Sequence, residues 1–158
     1  MRFHSGTPVV LLLSSMLLGC VATSLERVQE VPFATLSQSL NSGIDRFAAE
    51  VVRDNASLER LWQEHVKNDG KKLRVPVVDF SHDMVIAVFL GPRSNGCYQV
   101  QIERVIHAGG VLKVEYREIA PFGNAICTYG MTWPSHIVRV PARDREVEFV
   151  RIGYRSSE

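Results

Sequence analysis

Apolar positions along this chain follow different periods in different stretches, and each period names an element. In IDRFAAEVVR, residues 44–53, Phe47, Ala49 and Val51 alternate to one side, which predicts a strand. In ASLERLWQEHVK, residues 56–67, Leu58, Leu61, Trp62 and Val66 recur at helical spacing, while Glu59, Arg60, Gln63, Glu64 and Lys67 fill the opposite face. Asp54 or Asn55 supplies the N-cap, and Asn68, Asp69 and Gly70 end the helix. Met84 to Leu90 is apolar at every position. It contains no Gly or Pro and is too short for a typical helix, so it predicts a strand covered on both faces. Gly91-Pro92 stops it, because proline has no N–H for a ladder.

Beyond that stop the alternation is regular. Tyr98, Val100 and Ile102 point inward, and Gln99, Gln101 and Glu103 outward. Ala108-Gly109-Gly110 predicts a hairpin turn. The return strand sets Leu112, Val114 and Tyr116 inward against Lys113, Glu115 and Arg117 outward. A slip of one residue would bury three charges, so the register is well specified. The stretch from Ala120 to Ser135 reads as a loop, and HIVRV and VEFVRI read as two further strands. Short connections favour antiparallel neighbours. The expected fold is a mainly antiparallel α+β domain, with one amphipathic helix near its N-terminal side covering a sheet. A sandwich-like closure is the alternative.

The first residues, MRFHSGTPVVLLLSSMLLGC, have a different character. Arg2 precedes an uncharged run from Val9 to Leu18 that falls well short of the roughly 20 apolar residues of a membrane span. It reads as a signal peptide over residues 1–19. Leu17-Leu18-Gly19-Cys20 resembles the lipobox of bacterial lipoproteins. That resemblance implies cleavage before Cys20, acylation of its sulfur and attachment to a bilayer. Val21 after the cysteine points to the outer membrane, facing the periplasm. Residues 20–43 are expected to be the acylated N-terminus and a tether, with Val31, Phe33 and Leu36 packing on the domain surface. The domain itself is expected over residues 44–158.

Charge excludes one class of partner. Without the signal peptide, basic and acidic side chains are equal in number at 17 each. Nucleic-acid binding rests on a basic surplus, so no nucleic-acid partner is expected. Export also bears on the cysteines. With Cys20 committed to lipid, Cys97 and Cys127 remain. In an oxidising compartment their simplest state is a disulfide. A Cys97 nucleophile paired with His107 or His136, or a zinc site built on both thiols, are the competing readings.

Standard catalytic patterns are missing from the chain. It has no GxSxG, no P-loop and no HExxH. No catalytic residue, metal or cofactor is expected, and the residues alone name no activity. Ser81, His82 and Asp83 read as a turn, with Asp79 accepting hydrogen bonds from it. His65 reads as a cap at the helix C-terminus, where an imidazolium suits the dipole. Trp62 and Trp133 read as core or core edge. Arg93, Ser94 and Asn95 are placed at a solvated turn tip. With Tyr98 they form the candidate partner-binding loop, braced by Cys97.

The segment from VVDFSHDMVIAVFLGPRSNGCYQVQ through YREIAPFGNAIC to TWPSHIVRVP resembles the C-terminal domain of the PrcB family of protease-complex subunits. The resemblance runs from about Phe47 to Val150 and includes the upstream SLERLWQEH. It implies an exported, non-catalytic accessory protein of a protease or other envelope complex. Gly96-Cys97-Tyr98 stands where the family more often has Gly-Gly-Tyr. The same turn is similar in a few residues to the Thr-Gly-Tyr loop of chagasin-like protease inhibitors. That similarity implies an alternative, an inhibitor-like protein binding through residues 91–98.

Overall fold

The run Met84–Leu90 is a strand buried along its whole length. A computed structural model describes residues 28–68, 74–142 and 144–157, the last four by their backbone alone. The expected signal peptide, lipobox and Cys20 attachment lie outside the described residues. The elements in order are β1 (Gln29–Glu30), β2 (Ala34–Ser39), β3 (Phe47–Val52), α1 (Asn55–His65), β4 (Asp83–Leu90), β5 (Arg93–Asn95), β6 (Gln99–Ala108), β7 (Val111–Pro121), β8 (Tyr129–Thr132), β9 (Ser135–Pro141) and β10 (Val147–Ser157). No helix among the described residues is long and apolar enough to cross a membrane.

Alternation along β4 divides the core in two. Met84, Ile86, Val88 and Leu90 pack against Val100, Ile102 and Val105 of β6, Leu112, Val114 and Tyr116 of β7, and Val138 and Val140 of β9. Val85, Ala87 and Phe89 face the other way, against Leu58, Leu61 and Trp62 of α1, with Ala48, Val52 and Ile137. The result is three layers. The sheet β1-β6-β7-β10 lies on the sheet β2-β9-β4-β3, and α1 covers the far side of the second sheet. Both expectations therefore hold together: the domain is α+β, and its sheets close face to face. Each large side chain fully buried this way contributes about 1.5–3 kcal/mol relative to exposure.

Local chemistry sets the ends of the elements. The Asp54 carboxylate accepts the Ser57 amide at 2.8 Å and caps α1. This hydrogen bond holds the Asp54 pKa below its ordinary value. The β6–β7 hairpin turns on Gly109 and Gly110 at φ 62° and 79°, a region closed to most side chains. On the outer face of that hairpin the expected outward charges Glu103, Glu115 and Arg117 form cross-strand pairs, Arg117 with Glu103 at 2.6 Å and Glu115 at 2.7 Å with Arg104, which alternation did not place outward and which follows a register shift after Ile102.

Three features depart from the expectations. First, β10 runs parallel to β7. The short link from β9 to β10 joins two different sheets, and the true β7-to-β10 crossover passes through β8 and β9. It therefore has the length a parallel pair requires. Second, the folded body begins before residue 44. β1 pairs with β6 and β2 with β9, Val31 is in the core, and Phe33 and Leu36 pack against it. Third, His65 is not a solvated cap. It lies on the same stripe as Leu58 and Trp62, is 2% exposed, and bridges the hydroxyls of Ser37 at 2.9 Å and Ser42 at 3.1 Å.

The outer edge of β6 shows how the two sheets interlock. β1 covers only Ile106 and His107, and the Val31 amide then reaches Val105 O at 2.7 Å. Beyond it, side chains from the opposite sheet take over. Gln38 Nε2 donates to Val100 O at 3.1 Å, and the Ile102 amide donates to His136 Nδ1 at 2.8 Å. Because Nδ1 accepts, the neutral ring carries its proton on Nε2, which donates to the Thr35 hydroxyl at 2.9 Å. Burial pushes the His136 pKa down to about 4. A charged ring would also lose the Ile102 bond.

Below pH 6.5 the unfolded chain takes up a proton that the folded chain refuses until about pH 4. Stability is therefore expected to fall as pH drops across that window, by about 1.4 kcal/mol per pH unit from this group. Urea unfolding of the protein and of His136→Gln at pH 7, 6 and 5 checks this. The stability gap between the two should narrow steadily as the solution is acidified.

Candidate functional site

Neighbouring groups at the turn before β4 have catalytic identities without catalytic geometry. The Ser81 hydroxyl and Asp79 Oδ2 both meet the same nitrogen of His82, Nδ1, at 2.8 and 2.9 Å. A relay needs the acid on one ring nitrogen and the nucleophile on the other. The Ser81 amide and hydroxyl also donate to Asp79 Oδ1, so the cluster is a turn closed on its own carboxylate. Hydrogen bonds from the Ser81 hydroxyl, and then from His82, pull the Asp79 pKa down to about 2. The expected hydrogen bonding of Asp79 is present, although its side chain is 65% exposed.

The 91–98 segment differs more from its expected form. It includes β5, which pairs with β8 in a two-stranded ribbon, so part of the expected 120–135 loop is regular structure. Arg93 is turned inward. Its guanidinium grips the Glu118 carboxylate with Nε at 2.8 Å and Nη2 at 3.2 Å, and Nη1 donates to Leu90 O and Pro92 O. Arg93 thus braces the ribbon base and does not stand at a solvated tip. Asn95 is also engaged, its side-chain oxygen accepting the Cys97 amide at 3.0 Å. Ser94 is exposed and Tyr98 is half-buried.

Glu118 is the residue that sequence reasoning missed. It is 4% exposed and binds both Arg93 and Arg151, the latter at 2.6 Å. The signal was present. Glu118 continues the inward series Leu112, Val114, Tyr116, and a charge at an inward position calls for a buried partner.

Cys97 and Cys127 form a disulfide, with Cα atoms 5.3 Å apart. It fastens the start of β6 to the segment between β7 and β8. Gly96 permits the approach, since a Cβ there would collide with the Thr128 hydroxyl. The Gly96 amide donates to Thr128 O at 3.1 Å, and the Thr132 hydroxyl to Asn95 O at 2.9 Å. The segment held this way is apolar and outward-facing. Phe122 is 73% exposed, Ile126 101%, Tyr129 105% and Met131 58%. None of these four was singled out from the sequence, because outside a periodic element apolar residues give no sign of direction.

Other surfaces offer less. A cleft of about 260 Å³ lies between β2 and the start of β6, lined by Gln38, Leu40, Gln99, Val100 and Ser135. That is below the usual range of small-molecule sites. Among the described residues no group of His, Cys, Asp and Glu is arranged to hold a metal ion. Trp62 lies in the core, and half-buried Trp133 joins β8 to β9.

Residues 84–141 match the family model described as PrcB C-terminal. Over this part the chain is similar to PrcB C-terminal domains. The matched part takes in β4 through β9, and with them the ribbon, the disulfide, the exposed tip and Glu118. No curated protein and no solved structure matches the chain.

Glu118→Gln is expected to destabilise the domain by about 2–3 kcal/mol, since it leaves two arginines facing an uncharged amide. Urea midpoints measure this, and Arg93→Ala should cost less because that guanidinium is partly solvated. The disulfide closes a loop of sequence separation 30. Its reduction is expected to cost roughly 3–4 kcal/mol on the chain-entropy model. Alkylation of the folded protein should label Cys97 and Cys127 only after reductant is added.

Proposed function

We propose that this chain is a non-catalytic accessory or stabilising subunit of a protease or other envelope complex, tethered to the outer membrane through an acylated Cys20. The observation that carries the reading is the PrcB C-terminal match over residues 84–141. That family suggests a subunit associated with a protease complex and therefore a protein partner. The lipobox-like Leu17-Leu18-Gly19-Cys20 supports the tether, since several acyl chains hold a protein at a bilayer far more firmly than one.

The fold suits such a role. A stabilising subunit needs a stiff body and a fixed outer surface. The interlocked sheets supply the first, and the disulfide-tied ribbon supplies the second. At the 79–82 turn the polar groups are spent on one another, which leaves that cluster a structural task.

Purification of the full-length tagged chain from detergent-solubilised envelopes is expected to recover protease or protease-complex subunits. Deleting its gene should lower the amount of that protease. Recovery of the chain with no proteolytic partner would overturn the reading. Labelling with radioactive palmitate should mark the protein and be lost in Cys20→Ala.

A further inference from the structure

We propose that the apolar tip between Phe122 and Met131 is the face by which this domain docks, and that it enters an uncharged, apolar groove on a partner protein. The proposal rests on the accessory-subunit reading and assigns that reading its contact surface.

Among the described residues eight large apolar side chains are exposed, and four of them, Phe122, Ile126, Tyr129 and Met131, fall within this one segment. Single exposed apolar residues are ordinary, but a cluster marks an interaction site. Ile126 and Tyr129 are as open as in an extended chain, so the fold gains nothing from their present positions. Meanwhile their backbone is restrained. The disulfide, the β5–β8 pairing, the Gly96–Thr128 contact and the Thr132 hydroxyl hold the segment from below. A surface ordered in advance loses less entropy on binding.

The chemistry of the tip names the chemistry of its partner. From Phe122 to Thr132, FGNAICTYGMT, there is no charged residue. Arg93, the nearest basic group on the paired strand, is bound to Glu118. A loop built to meet anionic lipid would be expected to carry free Lys or Arg. This one fits apolar side chains and neutral hydrogen-bonding groups.

Position argues the same way. β6 starts beside Cys97, at the tip, and ends beside β1, where Gln29 pairs with His107. Ten strand residues place the tip roughly 30 Å from the point where the N-terminal segment enters the domain. A chain tethered at Cys20 has at most about 25 Å of reach from residue 21 to residue 27. It hangs the domain by the pole opposite the tip, so the tip faces away from that bilayer toward other proteins.

Photocrosslinking tests this with the full-length chain in the cells that make it. Benzophenone-phenylalanine is placed at 126, at 129 or, as a control at the other pole, at exposed Asp144. Mass spectrometry is expected to identify a protease or protease-complex subunit in the adducts from 126 and 129, with at least tenfold less from 144. With the probe at 122, Ile126→Asp combined with Tyr129→Asp should cut that adduct at least tenfold, while the melting temperature stays unchanged. Adducts only with phospholipid, only with a second copy of this chain, or from no position overturn the proposal. Protease adducts from 144 and not from the tip overturn it while leaving the accessory reading intact. Tip adducts with an envelope protein outside any proteolytic complex keep the docking face and overturn the protease reading.

Discussion

The architecture depends on one constraint, that β4 must lose water on both faces. A strand apolar at every position cannot sit on the surface of a two-layer domain. One set of its side chains meets β6 and β7, and the other meets α1. Everything else is arranged around this demand. The sheet β1-β6-β7-β10 covers one face, helix α1 covers the other, and the N-terminal strands fill the margins.

Packing two separate sheets face to face leaves backbone groups at the edges, and these must find partners. The β6 edge solves this with side chains from across the interface, His136 and Gln38 above all. The outcome is a polar interlock inside an apolar sandwich, and it accounts for a histidine that stays neutral. Glu118, paired with Val100 across the β6–β7 ladder, does similar work one strand further on. It ties β7, β10 and the β5–β8 ribbon together through two arginines. The disulfide then secures the far side of the same ribbon. An outward-facing apolar tip is thus mounted on a rigid base, and that base is built from the residues that first looked like a partner-binding loop.

How much of this was legible in the chain follows from how far each signal reaches. The helix, the both-faces-buried strand and the glycine-turned hairpin depend on residues within one element, and they appear as expected. Arg93 did not, because its carboxylate lies twenty-five positions away, on β7. His65 looked like a helix cap because its partners, Ser37 on β2 and Ser42 in the link to β3, lie more than twenty positions before it. The parallel pairing of β10 was hidden because the chain visits the other sheet before returning.

Local pattern determined β3, α1, β4, the β6–β7 hairpin, β9 and β10, and an α+β domain with a helix on a sheet, but not β1, β2, β5 or β8, because burial and backbone geometry act over a few residues. The residues also identified the two thiols that pair. Tertiary structure alone decided which edges interlock, which charges are buried and that residues 122–131 point outward. Those outcomes depend on contacts between segments far apart in sequence, and on a direction that no short-range period encodes.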